Sequence, residues 1–473
     1  MLGRILCLEA ALLTLPGVVA LIYREDTLTA FALSIAISAA LGLAMVLLSG
    51  RHEHIIFAKD GLVTTAAAWL LMSLVGALPF YISGEIPSFI DAFFETVSGF
   101  TTTGASILTD VEKMSHGMLF WRSFTHWCGG MGIIVLMMAI MPTSSGRSMH
   151  IMRAEMPGPT VGKLVPRVRD TAKILYLIYI ALTFCEIIFL RCGDMTLFES
   201  IVHSLGTAGT GGFGIKVDSI GSYSAYSQWV ITVFMLIFGV NFNLYFLLLA
   251  RKLKSAFKSE EMRAYFIIVV LAAAAIAVNT YHMFDSVADA VRASAFQVAS
   301  IITTTGYSTV DFNLWPSFSK AVIFILMFIG GCAGSTAGGI KISRIIMMFK
   351  TIANDLRRLA HPRAVTTVSF EGKTVDEPTR RGVGEYLMLY LFVFGACFLA
   401  VSFESFDFET NFTAVATCIN NVGPGFGGVG PASSFAAYSP LSKIILSVAM
   451  LLGRLEFYPL LLAALPATWT RRG

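Results

Sequence analysis

The sequence predicts an all-α membrane protein with two leading helices and four pseudo-symmetric helix–pore-loop–helix repeats around one central pore. Three observations support this fold class. The 473-residue chain is 56% hydrophobic and only 14% charged, whereas soluble domains carry about 25% charged residues. Four shorter, half-apolar segments lie between some of ten long apolar ones. A glycine-containing loop recurs four times, always after a short segment. Lipid is therefore the expected solvent.

The first two apolar segments form the leading pair. The N-terminal stretch looks like a signal peptide, but Glu9 interrupts it and a second apolar segment follows at once. We therefore expect an uncleaved first span. The seven cysteines form no CxxC pair and predict neither disulfides nor a metal site. The basic residues lie in short loops rather than on one face, which gives no support for nucleic-acid binding.

Segments of about 20 apolar residues are long enough to span a bilayer, whereas segments of about 12 are too short and predict re-entrant helices. The ten long segments lie near 5–22, 30–49, 62–83, 118–141, 173–191, 227–250, 264–284, 319–350, 385–403 and 440–466. The short segments lie near 88–100, 195–207, 287–302 and 408–419. Their order predicts a repeated unit of helix, short helix, loop and helix.

This order divides the chain into five parts. The two leading transmembrane helices occupy 1–50, and the four pore repeats occupy 51–150, 151–255, 256–355 and 356–473. The segments predicted to face inward hold 25 of the 34 lysines and arginines. This bias places the loops outside and both termini in the cytoplasm. Of the 30 carboxylates, 16 fall on the outer side, where they would concentrate cations.

The four loops read SGFTTTGAS, GTAGTGGFG, SIITTTGYS and CINNVGPGFGG. Glycine permits the backbone angles that turn carbonyl oxygens toward an axis, and rings of carbonyls replace the hydration shell of a monovalent ion. Taking Gly104, Gly211, Gly306 and Gly423 as equivalent, we predict a filter that binds a monovalent cation. Its residues would be Thr102, Thr103, Gly104, Gly209, Thr210, Gly211, Thr304, Thr305, Gly306, Asn421, Val422 and Gly423. The alternative is that these glycines only allow helices to pack tightly.

A second glycine-rich stretch, GGCAGSTAGGIK, interrupts the long segment of the third repeat. Five glycines in so short a stretch break a helix, and a flexible break below the filter could open or block the path. The predicted gate comprises Gly330, Gly331, Gly334, Ser335, Thr336, Gly338, Gly339 and Lys341, together with Arg454. The alternatives are a packing kink and a hydrolase with Ser335 as nucleophile, although no suitable base is evident nearby.

Arg454 stands alone in an apolar segment, which makes it a functional candidate. Facing the pore, it would form an electrostatic barrier below the filter. The alternatives are a local pair with Glu456 or an anchor at the cytoplasmic end. His126 and Glu186 also lie in apolar surroundings, and we expect both to be satisfied packing residues rather than parts of a proton path.

At these motifs the chain resembles the TrkH/TrkG/KtrB/HKT superfamily of potassium transporters, and its bacterial TrkH branch most closely. The resemblance rests on SGFTTTGAS, TGGFG, TTTGYSTVDF, NNVGPGFGG, GGCAGSTAGGIK and LLGRLE. It covers nearly the whole chain, and the leading helix pair resembles TrkH rather than KtrB. The second loop departs from the pattern by its extra glycine.

The resemblance implies a homodimer in the bacterial inner membrane with one pore per protomer. It also implies a soluble, nucleotide-binding regulatory subunit of the TrkA type, and it gives the glycine-rich break and Arg454 the roles of gate and pore arginine. In plant relatives, a serine at the first filter glycine accompanies sodium transport. Glycine at all four positions here implies potassium as the transported substrate.

The longest cytoplasmic stretches, near 142–172 and 351–383, are too short for a nucleotide-binding domain. Nucleotide control would therefore require a separate subunit, and the chain itself is expected to bind no cofactor. Basic residues of these stretches are candidate docking points or contacts to anionic lipid headgroups. They are Arg153, Lys163, Arg167, Arg169, Arg357, Arg358 and Arg363.

The leading functional hypothesis is passive, gated potassium uptake. A secondary transporter that couples potassium to protons or sodium is the alternative, but such carriers place titratable groups near the midplane and the predicted filter positions contain none. A membrane enzyme would need a catalytic constellation, which the sequence does not display.

Overall fold

The computed structural model describes residues 1–49, 58–132, 168–363 and 366–469. These ranges are predominantly helical, which confirms the predicted all-α class. Within them, six helices are long and apolar enough to cross a membrane, and a seventh span results if one bent pair is counted. Of the stretch 142–172, predicted to be cytoplasmic, residues 142–167 with Arg153, Lys163 and Arg167 lie outside the described residues, as does the side chain of Arg169.

The leading helices Leu2–Leu12 and Thr14–Tyr23 form one span, and Leu28–Leu48 returns antiparallel to it. Small residues hold this pair together. A Cβ on Gly3 would lie 2.5 Å from the carbonyl oxygen of Gly42, and the Ser38 hydroxyl donates to the Leu6 carbonyl at 2.9 Å. Such close backbone approach is typical of helix pairs in lipid, where the hydrophobic effect does not drive association.

Each repeat begins with an outer helix, which is long and apolar. The outer helices are Ala58–Gly76 with its extension Leu78–Ser83, then Val168–Arg191, Glu260–Thr280 and Glu377–Val401. Each is followed by a pore helix of 12 to 16 residues, too short to cross the bilayer. The pore helices are Phe89–Phe100, Leu197–Gly209, Val287–Ile302 and Phe408–Asn420. All four lie within two residues of the predicted short segments.

The first three pore helices begin at residues whose side chains cap their N-terminal ends. The side chains of Ser88, Thr196 and Ser286 each accept a hydrogen bond from the first turn of the helix that follows. Thr196 and Glu199 form a complete capping box. The C-terminal halves of the same helices are buried. The caps therefore fix where each helix starts, and burial directs its C-terminal end into the protein.

Each repeat ends with an inner helix, and the inner helices of the second, third and fourth repeats are broken. The inner helices are His116–Gly130, Ala225–Phe238 with Phe242–Leu249, Ser317–Ile329 with Ile342–Ala360, and Pro440–Arg454 with Tyr458–Ala464. The predicted spans over 227–250 and 440–466 are not continuous helices. The first bends by 90° between Phe238 and Phe242, and the second breaks where Glu456 and Phe457 take positive φ. The predicted span 118–141 is described only as far as residue 132.

The break in the second repeat has a physical reason that only the tertiary structure reveals. The Gly239 carbonyl accepts from Cys332 N at 3.0 Å, and Phe242 N donates to the Gly334 carbonyl at 3.0 Å. Backbone groups freed by the bend are thus paired by the glycine-rich stretch of the third repeat. Irregular backbone is tolerated at membrane depth when protein satisfies it in this way.

Short elements complete the described fold. The residues Ser369–Phe370 and Lys373–Thr374 form an antiparallel hairpin, in which Ser369 faces Thr374. Leu253–Phe257 and Pro466–Trp469 are short α-helices. Single 3₁₀ turns occur at Val111–Lys113, Tyr281–Met283, Phe312–Leu314, Gly427–Val429 and Phe435–Ala437.

Replacing Gly42 by leucine is expected to destabilise the leading pair. The new side chain would meet the Gly3 carbonyl and Cys7, because a Cβ there already lies 2.7 Å from that oxygen. Overpacking of this kind costs about 1–3 kcal/mol. The melting temperature of purified protein in detergent should therefore fall. Gly395→Leu is the matched control, because a Cβ at Gly395 meets nothing within 4 Å; equal melting temperatures for the two variants would contradict the packing assigned here.

Candidate functional site

Every pore helix ends in the same turn. The residue that follows the last helical turn is left-handed in all four repeats: Thr102, Thr210, Thr304 and Asn421, with φ between 53° and 57°. The amide of the next residue then bonds back to the carbonyl five positions earlier. These bonds join Thr103 to Ser98, Gly211 to Gly206, Thr305 to Ser300 and Val422 to Thr417, at 2.8 to 3.0 Å. This is the Schellman motif, which satisfies carbonyls at a helix C-terminus.

Two residues beyond each left-handed position stands a glycine with positive φ. These glycines are Gly104, Gly212, Gly306 and Gly423. The equivalent glycine of the second repeat is therefore Gly212, whereas the sequence analysis took Gly211. The predicted trio Gly209, Thr210 and Gly211 shifts by one residue to Thr210, Gly211 and Gly212, and Gly209 is the last residue of the pore helix. The extra glycine in GTAGTGGFG allowed both alignments.

The four loops contact one another in a closed ring. A Cβ on Gly104 would lie 2.0 Å from the Gly211 carbonyl oxygen, and one on Gly212 would lie 1.9 Å from that of Thr305. A Cβ on Gly306 would lie 2.3 Å from the Val422 carbonyl oxygen, and a Cβ on Gly423 would lie 2.8 Å from the Thr103 carbonyl oxygen. Each glycine thus lies against the carbonyl of the next loop, and the fourth loop returns to the first. The structure brings the predicted filter residues of all four repeats together.

A cavity of about 330 Å³ adjoins this ring. Residues that follow the ring in all four repeats line it, namely Ala105, Phe213, Ser308 and Pro424, together with the four ring glycines. Beside the cavity residues Thr109 and Val111, Asp110 pairs with Lys113 at 2.8 Å, and this hydrogen bond lowers the pKa of the exposed Asp110 carboxyl. The cavity is a vestibule on the side of the ring that faces away from the pore helices' C-terminal turns.

A buried ion pair behind the ring was not predicted from the sequence. Arg122 Nε donates to Glu95 Oε1 at 2.9 Å, and both side chains are nearly inaccessible. The Glu95 carboxylate also accepts from Ser106 Oγ and Ile107 N in the first loop. The Arg122 guanidinium donates to the Gly214 carbonyl and stacks over the Phe213 ring at 4.0 Å, both in the second loop. The signal was present, since both charges interrupt apolar segments.

His126 and Glu186, both predicted to be satisfied packing residues, differ. His126 Nδ1 lies 2.8 Å from the Gly99 carbonyl oxygen, and Nε2 accepts from Phe213 N at 3.3 Å. Its ring joins the first pore helix to the second loop. Glu186 is fully buried, and in the described part of the chain its carboxylate oxygens have no hydrogen-bond partner. The satisfied packing role therefore fits His126 alone.

The glycine-rich stretch of the third repeat, residues 330–341, forms a loop that leaves and re-enters the inner helix through a paired neck. In the neck, Ile340 N donates to Phe328 O at 3.1 Å, Lys341 N to Ile329 O at 3.0 Å and Ile342 N to Gly331 O at 3.2 Å. Gly330, Gly334, Gly339 and Lys341 all have positive φ. We call this segment the inner loop.

Gly338 and Gly339, which directly precede the neck, bond the inner loop to the third and fourth loops of the ring. Gly338 N donates to Thr304 Oγ1 at 2.6 Å, and Gly339 N donates to the Asn420 carbonyl at 3.0 Å. A Cβ on Gly338 would lie 2.4 Å from that same carbonyl. The loop therefore sits against the ends of the third and fourth pore helices.

Arg454 closes this arrangement from the fourth repeat. Its guanidinium donates to the Thr336 carbonyl at 2.9 Å and to the carbonyls of Gly129 and Gly130 at 2.6 and 2.8 Å. The two glycine carbonyls end the first inner helix, where the negative end of the helix dipole favours a cation. Glu456, the alternative partner weighed above, pairs with Arg344 at 2.6 Å. The arginine thus joins the inner loop to the first repeat.

Two further residues of the inner loop have local partners. Lys341 is buried, and its ammonium donates to the Ala337 carbonyl. Ser335 Oγ donates to the Cys332 carbonyl at 2.7 Å and accepts from Ala337 N at 3.3 Å. Its hydroxyl proton is engaged by a backbone carbonyl rather than by a base, which argues against the hydrolase alternative.

Comparison with known proteins gives one consistent result. The family described as TrkH, cation transport protein, matches residues 27–470. The chain is 37% identical over 474 residues to the Trk system potassium uptake protein TrkH of Salmonella typhimurium, covering 99% of this chain and 98% of that one. It is 34% identical over 468 residues to TrkG of Escherichia coli, covering 98% and 96%.

The structural comparison agrees. The crystal structure of the potassium transporter TrkH from Vibrio parahaemolyticus superposes with a TM-score of 0.89 at 35% sequence identity. The alignment covers 99% of this chain and 98% of that one. The likeness thus extends over the leading helices and all four repeats.

Replacing Glu95 by glutamine is expected to destabilise the protein and loosen the first two filter loops. Removing one partner of a buried ion pair costs about 3–5 kcal/mol, because the other charge stays buried. Thermal unfolding in detergent should begin at a lower temperature, and discrimination between potassium and sodium in flux assays should weaken.

The matched control is Arg381→Gln, which breaks the exposed pair between Arg381 and Glu385 and should change stability by less than about 0.5 kcal/mol. If Glu95→Gln left both the melting temperature and the ion preference at the control's values, the ion pair would not support the filter.

Proposed function

We propose, from the premise that this chain belongs to the TrkH family of cation transport proteins, that it mediates potassium uptake through the ring of four filter loops. The family is one of transport proteins rather than enzymes. The observation that carries the proposal is the closed ring of glycine–carbonyl contacts, in which all four repeats contribute equivalent backbone. We infer the ion from the names of the relatives, and the pathway through which it passes from the ring of loops.

The chemistry of the ring suits a monovalent cation. Its equivalent oxygens are the carbonyls of Thr103, Gly211, Thr305 and Val422. Neutral carbonyls replace the water around a monovalent ion, whereas charged carboxylate rings characterise other cation pores. The C-terminal ends of four pore helices point toward the ring and add partial negative charge. Potassium is therefore the transported substrate in this proposal.

The inner loop is proposed as the gate. Gly338 and Gly339 bond to the third and fourth filter loops, and Arg454 bonds to the Thr336 carbonyl of the inner loop. In this position it would block the path below the ring, with the arginine adding an electrostatic barrier. Five glycines leave the loop free to take another backbone conformation once these bonds are lost.

The setting of the pore is also part of the proposal. We infer an inner-membrane protein with its filter loops outside and both termini in the cytoplasm, on the basis of the lysine and arginine distribution. A homodimer in contact with membrane lipid, and a soluble TrkA-like subunit that binds nucleotides, follow from the family resemblance. Arg357, Arg358 and Arg363 are exposed and thus accessible to such a subunit or to lipid headgroups.

The chain is expected to rescue a potassium-uptake-deficient bacterium in low-potassium medium, and Gly306→Ser should lose the preference for potassium over sodium. A left-handed residue with a Cβ costs about 1–2 kcal/mol, and this Cβ would lie 2.3 Å from the Val422 carbonyl oxygen. Growth and uptake of both ions measure the effect.

Gly395→Ser is the matched control, because the same change there meets open space. The assay is repeated with a TrkA-like subunit supplied. Correctly inserted protein that fails to rescue under both conditions would overturn the potassium proposal, while ion flux in liposomes that strictly requires a proton gradient would replace uncoupled uptake by a carrier.

Arg454→Ala is expected to raise potassium flux in liposomes. The variant loses charged hydrogen bonds worth about 1.5–3 kcal/mol each, and a change of 1.4 kcal/mol corresponds to about tenfold. We therefore expect an increase of at least about tenfold, with Arg454→Lys between alanine and wild type. A flux equal to that of wild type in both variants would remove Arg454 from the gate.

A further inference from the structure

Glu261 joins the two sides of the break in the third inner helix. It is the second residue of the third outer helix and only 5% exposed. Its carboxylate oxygen Oε1 accepts from Ala333 N at 2.7 Å and from Ser343 N at 3.1 Å. Ala333 lies where the inner loop begins, and Ser343 lies in the first turn after the loop ends. One oxygen atom therefore spans the base of the inner loop.

The two hydrogen bonds to the Glu261 carboxylate are stronger than bonds between neutral groups. A carboxylate that accepts from backbone amides forms charge-assisted hydrogen bonds, which are about twice as strong as neutral ones. The three backbone bonds of the neck join neutral groups and are individually weaker. The carboxylate adds an anchor that belongs to a different helix.

The same residue is held from the cytoplasmic side by the hairpin Ser369–Thr374. Glu371, exposed at its turn, accepts from Ser259 Oγ at 2.8 Å and from Glu261 N at 3.0 Å. Lys350 donates to the Ser369 carbonyl at 2.8 Å and pairs with Glu260. The hairpin therefore fixes the N-terminal end of the third outer helix, whose dipole favours the Glu371 carboxylate.

We propose that Glu261 is a positioning residue that keeps the inner loop in its blocking arrangement, and that the hairpin Ser369–Thr374 sets the position of Glu261. The connection is short: the backbone amide of Glu261 bonds to the hairpin, and its carboxylate bonds to the loop. Displacement of the hairpin in the cytoplasm would pull this carboxylate away from Ala333 and Ser343 and release the loop. The inference rests on the gating role proposed above.

The test measures potassium flux through purified full-length protein in liposomes. Glu261→Ala removes the accepting oxygen, and flux should rise at least about tenfold, because two charged hydrogen bonds are lost and each is worth about tenfold or more. Glu261→Gln keeps an oxygen at the same place but makes only neutral hydrogen bonds, so its flux should lie between those of wild type and Glu261→Ala. Glu371→Ala should raise flux less than Glu261→Ala, and Glu377→Ala is its matched control, because Glu377 pairs with Arg380 on its own helix.

A second readout follows the inner loop itself. Cys332 is fully buried beside Ala333, so in a background with the other six cysteines replaced by serine it should resist a thiol reagent. Glu261→Ala should expose it, and Glu261→Gln should expose it less. The melting temperature of each variant identifies any that fail to fold, and the potassium-to-sodium ratio should remain that of wild type.

A reference variant separates the two proposals. Gly338→Leu forces a side chain against the Asn420 carbonyl and should displace the loop. If Gly338→Leu raises flux while Glu261→Ala changes neither flux nor Cys332 reactivity, the positioning role is overturned and the gate stands. Equal effects of Glu261→Ala and Glu261→Gln would also overturn it. If Gly338→Leu itself leaves flux unchanged with a folded protein, the gate fails and this inference fails with it.

Discussion

Backbone amides and carbonyls that leave a helix within the membrane must find protein partners, and the centre of this molecule is organised by that requirement. Four pore helices end inside the protein, and the same turn satisfies the carbonyls of each. The bend at Gly239 and the inner loop pair with each other. Without these pairings, unsatisfied groups would cost several kcal/mol apiece in lipid, and no irregular segment would remain at this depth.

The repeats share their backbone but not their supports. In the first and third loops, threonine hydroxyls pair across the turn, Thr101 with Thr103 and Thr303 with Thr305, at 2.8 and 2.7 Å. In the fourth, Asn421 Nδ2 donates to Thr103 Oγ1 and to the Met450 carbonyl. The buried charges of Glu95 and Arg122 serve only the first two loops. One geometry is thus stabilised by several different sets of side chains.

The positions of the pore helices could be predicted from the sequence, because a short helix and its cap depend on residues that are close together in the chain. Gly212 was missed because two adjacent glycines fit one position, and only the ring of contacts distinguishes them. The break near Gly239 has no strong local signal, since the partners that satisfy it lie in another repeat. In the sequence, Glu261 is an ordinary charge at a helix end and Arg122 an ordinary charge in an apolar segment. Their partners Ala333 and Glu95 lie 72 and 27 positions away, so only the folded chain brings each pair together.

Each ring glycine contacts the next loop in the same direction around the ring, and this arrangement affects how the sequence of such a protein can evolve. In a pore of four identical subunits, one mutation alters every loop at once. Here each glycine contacts a different loop. A mutation in one loop therefore affects only the contacts with its two neighbouring loops. The surplus glycine of the second loop and the asparagine of the fourth are differences that copies joined in one gene can accumulate singly, while the shared geometry persists.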